Sequence, residues 1–159
     1  MKKLIFFTIL MFPFLYGKVL HPQGNVVGES LDIQGKIREY HVLGLPNVRK
    51  SLLLNYNSYA VTGPSNVSIY ARLAIPKNEK GVHSFSIKSF LSDSPESIHQ
   101  FNKKVDSSVS SPLHPMHRYT KSAKIDIEIP KGKFILSVEN ESNFWNPILI
   151  RVIQKRRKK

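Results

Sequence analysis

Apolar and polar residues alternate along much of this chain. The run KIDIEIPKGKFILSVE, from Lys124 to Glu139, sets Ile125, Ile127 and Ile129 against Lys124, Asp126 and Glu128. That is the period of two of a half-buried strand. Pro130-Lys131-Gly132 interrupts it, and Phe134, Leu136 and Val138 then resume the alternation. Two alternating runs around a short Pro/Gly break predict an antiparallel hairpin with one face on a core and one in water. Similar strand patterns run over Lys36–Leu45, Leu52–Val61, Val67–Ile75, Val82–Leu91 and Pro147–Ile153, with turn residues between them. About seven short strands at this spacing predict an all-β fold, a single antiparallel β-sandwich. One segment breaks the habit. Ser94-Pro95-Glu96 has the chemistry of a helix start, and Ile98, Phe101 and Val105 follow at helical spacing, so a short helix is expected on a connection. Asp106 to Arg118, rich in serine and proline, reads as a long mobile loop.

The two ends of the chain frame the domain. Lys2 and Lys3 precede an apolar run from Leu4 to Tyr16. A basic head and an apolar stretch too short for a ~20-residue membrane span read as an export signal. The expected organisation is a signal over 1–17, a loose lead-in over 18–32, a β-sandwich domain over 33–154 and a basic tail over 155–159. The protein is expected to be exported, to the periplasm or beyond, with no membrane span in the mature chain. There is no cysteine. Disulfides, thiolate metal sites and a cysteine nucleophile are therefore excluded together.

Ile33-Gln34-Gly35-Lys36-Ile37-Arg38-Glu39-Tyr40-His41-Val42 places a polar glycine turn before a strand with a central tyrosine. Ile129 to Val138 runs from a glycine turn into an aromatic-x-apolar-x-valine strand. These two stretches resemble the opening and closing parts of the bacterial pre-peptidase C-terminal domain. The resemblance implies a jelly-roll-like sandwich used for adhesion, carbohydrate binding or secretion. The middle of the chain departs from it, with Ser/Pro/His-rich loops where that family often carries acidic ones.

Charge adds the sharpest feature. Lysine and arginine number 24 against 11 acids, for a formal net charge of +13. Arg151, Lys155, Arg156, Arg157, Lys158 and Lys159 crowd the last nine residues. A cationic end suits an anionic envelope polymer, lipid headgroups or an acidic protein surface, and an exported chain rarely meets nucleic acid. Phe144 and Trp145, bulky rings between asparagines, are candidates for a sugar or apolar contact, and Tyr56, Tyr59 and Tyr70 could extend such a platform. His114 and His117, three apart, are weak metal-ligand candidates without a nearby carboxylate in sequence. Asp126 and Glu128 share a strand face, but their alternation with isoleucines is that of a solvated surface. No nucleophile elbow or phosphate-cradling loop is present, and no catalytic residue or cofactor is expected. The expected function is a non-enzymatic binding or structural protein of the envelope, acting through its basic end. A carbohydrate-binding module and a structural subunit with pairing strand edges are the alternatives.

Overall fold

A computed structural model describes residues 17–44, 55–142 and 146–156. Residues 1–16 of the expected 1–17 signal lie outside the described residues, as do Phe144, Trp145, Arg157, Lys158 and Lys159. Among the described residues there is no helix, and there are ten strands rather than about seven. They are β1 (Lys18–Leu20), β2 (Gly28–Ile33), β3 (Lys36–Leu43), β4 (Tyr56–Pro76) and β5 (Val82–Leu91). Then follow β6 (Ser97–Asp106), β7 (Val109–Ser110), β8 (His117–Thr120), β9 (Ala123–Asn140) and β10 (Ile148–Arg156). The pairings are antiparallel throughout. The all-β, antiparallel class implied by the period-two alternation is what the chain adopts.

Two long strands, β4 and β9, replace the expected hairpin. Tyr56 faces Glu139 and the ladder runs to Gly63 opposite Gly132; it resumes at Ser65 opposite Ile129 and runs to Ala71 opposite Ala123. Ile125 therefore faces Ile69, and Phe134 faces Val61. The two halves of β9 do not pair with each other. Proline and glycine interrupt a ladder in a reversing turn and in a corner alike. Here β4 carries its own break, Gly63-Pro64 with a cis peptide bond, where β9 carries Pro130 to Gly132. The paired strands pass the irregularity side by side and continue in register. Such a corner lets one strand serve two layers.

On one side of the corner, β9 pairs through Leu136–Asn140 with β5, and β5 pairs with β6. On the other, β4 pairs with β10, which pairs in turn with β3, and β2 and β7 follow. Val67, Ile69, Leu73 and Ile75 from this second layer share one core with Phe85, Ile87, Leu136 and Val138 from the first. Full burial contributes about 1.5–3 kcal/mol for each large side chain. Ala74 and Leu149 point the other way, into a smaller core with Leu31, Tyr40 and Tyr119.

The expected helix is instead strand β6. Phe101 lies opposite Phe85, with ring centroids 5.3 Å apart, and Phe101 and Val105 pack on the main core. His99, Phe101, Lys103 and Val105 alternate with the exposed Ile98, Gln100, Asn102 and Lys104. The helical spacing depended on Ile98, which is 61% exposed. An unpaired β5 edge needs backbone partners, and that demand overrides a helical local pattern. Ser94-Pro95-Glu96 is the turn that leads into β6, with the Ser94 amide bonded to the Leu91 carbonyl.

Two further expectations change for the same reason. The loose lead-in contains β1 on β10 and β2 on β3. The mobile loop contains β7, whose Val109 is buried in the smaller core, and the start of β8. Beside these elements a buried arginine meets a partly buried aspartate. Arg72 Nη1 donates to Asp106 Oδ2 at 2.9 Å and to the Thr120 carbonyl at 2.7 Å, joining β4 to β6 and β8.

Candidate functional site

β10 carries the cationic end out of the fold, and its alternation divides that end. Ile148, Ile150 and Val152 face the main core, and Gln154 and Arg156 continue the same side. Arg151 and Lys155 face the opposite way, toward their partners Tyr70 and Asn66 on β4. The three described cations of the tail are therefore split across two faces.

Arg156 lies at a cleft of about 450 Å³ beneath the β4 corner, lined also by Lys18, Thr62, Gly63, Pro64 and Gln154. Lys18 pairs with Gln154 across β1 and β10, and both Lys18 and Arg156 line this cleft. Gln154 Nε2 donates to the Thr62 carbonyl at 2.5 Å and lies 2.7 Å from Ser65 Oγ. Ser65 Oγ itself donates to the Thr62 carbonyl at 2.8 Å. These bonds fasten the end of β10 to the corner and make one wall of the cleft stiff. Among the described residues no carboxylate lines it. Lys18 escaped sequence reasoning because it sits about 140 positions from the tail, and only the β1–β10 ladder joins them.

On the opposite face, Lys124 Nζ donates to Asp126 Oδ2 at 2.8 Å and Ser68 Oγ to Oδ1 at 2.6 Å. The bond from Lys124, then that from Ser68, hold the Asp126 carboxyl below its ordinary range, with Lys155 adding a smaller pull. A carboxylate held in this way belongs to a solvated strand face rather than to an acid–base pair. A cleft of about 350 Å³ alongside contains Ser89, whose Oγ lies 3.1 Å from His99 Nε2. That serine is 3% exposed. A hydroxyl so buried links two strands and is not presented to a substrate.

The structure does bring His114 and His117 together, with ring centroids 5.5 Å apart. It also supplies the carboxylate that the local sequence lacks, since Glu29 Oε2 lies 3.9 Å from His114 Nε2. Glu29 is already engaged, because it accepts the Tyr119 hydroxyl at 2.5 Å. Ligating atoms converge more tightly at His21, Glu39 and His41, where one donor from each lies within 4.8 Å of the others. Of the candidate platform tyrosines, Tyr59 is taken out by burial. Tyr59 is fully buried in the core, and burial pushes its phenol above the ordinary range. Tyr56 is 44% exposed at the start of β4.

No family model and no curated protein sequence matches the chain. Among solved structures it is similar to an exo-β-1,3-galactanase from Phanerochaete chrysosporium, at 10% identity and a TM-score of 0.40 over 87% of this chain. The chain spans only 27% of that enzyme's length. It is also similar to a CBM35 module from Cellvibrio japonicus Abf62, at 11% identity and a TM-score of 0.35, covering 84% of this chain and 90% of the module. A third likeness is to Xyl-CBM35 in complex with a glucuronic-acid-containing disaccharide, at 10% identity and a TM-score of 0.38 over 86% of this chain and 92% of that one.

Proposed function

We propose that this protein is an exported, non-catalytic binding module that captures an anionic polymer of the cell envelope through the end of β10. The observation that carries this reading is the cleft under the β4 corner, with Lys18 and Arg156 on it and no carboxylate lining it among the described residues. A volume of about 450 Å³ accommodates one charged unit of a chain. An arginine fork can take a carboxylate or phosphate group through two bonds, while a lysine adds a compact charge. A cleft suits a single anionic unit better than a flat membrane surface does. Arg157, Lys158 and Lys159 extend the charge and add attraction that weakens as salt rises.

The test is co-sedimentation of the protein with isolated envelope fractions at low and high salt. Wild type is expected to pellet at low salt and to be released at high salt. Lys18→Glu combined with Arg156→Glu should abolish pelleting, and deletion of Arg157 to Lys159 should weaken it. Pelleting that is indifferent to both changes sinks the proposal.

A further inference from the structure

We propose that His21, Glu39 and His41 form a binding site for one divalent transition-metal ion of the zinc class, at the rim of the main core. The strand topology creates it. β1 leaves the edge of β10 at Leu20, opposite Val152, and β3 joins β10 at His41, opposite Ile150. The end of one strand thus meets the other, and His21, the first residue beyond β1, comes beside His41. Their ring centroids are 5.6 Å apart, edge to face. Glu39, two residues before His41 on β3, shares its face by the period of two.

His41 is the anchor. It is 4% exposed, and its Nδ1 is buried without a hydrogen-bond partner. A buried polar atom left unpaired is a net cost to the fold. An ion bound at Nδ1 removes that cost. The ring is already positioned, because it packs against the buried Tyr59 ring at 6.4 Å. His21 and Glu39 are exposed and free to close on an ion held there. Metal–donor bonds of about 2.0–2.2 Å in a tetrahedral site put the donors roughly 3.5 Å apart. Closure from within 4.8 Å therefore asks for about 1 Å of movement from two surface side chains. Gly28, opposite His41 on β2, leaves the space used by the carboxylate: a Cβ there would lie 3.3 Å from Glu39 Oε1.

Two imidazoles and one carboxylate favour zinc and its neighbours over calcium or magnesium, which prefer all-oxygen sets. Three protein donors leave a fourth position for water or for a donor atom of a bound molecule.

The experiment titrates the untagged chain with zinc chloride, followed by calorimetry and thermal melting, and with cobalt chloride, followed by visible absorption. One ion per chain, a raised Tm and the strong d–d bands of four-coordinate cobalt are expected. His21→Ala and Glu39→Gln alter exposed side chains, so each should leave metal-free melting unchanged while weakening zinc binding about tenfold or more. The double change His114→Ala with His117→Ala should bind zinc as wild type does. The site is refuted by three outcomes: no heat and no Tm shift at about 1 mM zinc, wild-type affinity in both His21→Ala and Glu39→Gln, or loss of binding only when His114 and His117 are changed.

Discussion

Replacing Gly63 with alanine tests the corner on which both the fold and the cationic cleft depend. A Cβ built on Gly63 would lie 1.7 Å from the Pro130 carbonyl oxygen and 2.6 Å from that of Ile129. Real Cβ atoms essentially never come closer than 3.0 Å, so the two strands must part by more than 1 Å at this point. The obstacle is backbone on both counts, and backbone in a paired ladder cannot swing aside as the end of a side chain can. Overpacking costs typically 1–3 kcal/mol, and with two fixed carbonyls the upper end, about 3 kcal/mol, is expected. In a domain of this size that lowers Tm by roughly 6–12 °C. The comparison is Gly28→Ala, whose Cβ would meet the flexible end of Glu39 at 3.3 Å and the Tyr40 carbonyl oxygen at an ordinary contact distance of 3.8 Å. It should cost less than about 1 kcal/mol. Thermal melting by circular dichroism on both variants reads the difference directly. If Gly63→Ala melts with wild type, β4 and β9 do not cross so closely, and the continuous-strand architecture is refuted.

Three more outcomes follow from the packing. Phe101→Ala should cost about 2 kcal/mol, less than a fully buried phenylalanine, whereas Ile98→Ala should stay within about 0.5 kcal/mol in a denaturant titration. Equal losses at both sites would restore the helical assignment of this segment. Arg72→Met leaves the partly buried Asp106 without its guanidinium partner and should cost about 1–3 kcal/mol; an unchanged urea midpoint would show that the pair contributes nothing. Burial alone would raise the Asp106 carboxyl, but hydrogen bonds from Ser108 and Arg72 outweigh it and hold it below the ordinary value of 3.8. A depressed folded value contributes stability that is fully present above the unfolded value and is lost as pH falls through the folded one. The Tm advantage of wild type over Asp106→Asn should therefore shrink as pH drops below about 4; an advantage of the same size at every pH from about 6 to about 2 would contradict the depressed value.

The candidate sites were legible in unequal measure. Arg156 and its neighbours stand out by charge alone. Lys18 does not, because a single lysine near the start of a chain has no distinguishing pattern. His114 and His117 attracted notice as sequence neighbours. His21 and His41 did not, although they converge with Glu39 more closely than that pair does with Glu29.

The run from Lys124 to Glu139 shows where the division falls. Its alternation determined that Ile125, Ile127, Ile129, Phe134, Leu136 and Val138 would face the core and that Lys124, Asp126 and Glu128 would face water; the three polar residues are exposed, four of the apolar ones are buried, and Ile127 and Phe134 pack against the core half-buried. Side-chain period is a local property of extended backbone, so it is written in consecutive residues. Partner choice is not. Pro130 and Gly132 have the same chemistry in a reversing turn and in a corner, and only Gly63-Pro64, about 70 positions away, makes this one a corner. The same limit hid the pairing of β6, whose helix-like spacing yields to the open edge of β5, and the meeting of β1 with β3 that gathers His21, Glu39 and His41. The sequence by itself determined the class, the faces and the cationic end; tertiary pairing alone decided which strands met and which side chains came together.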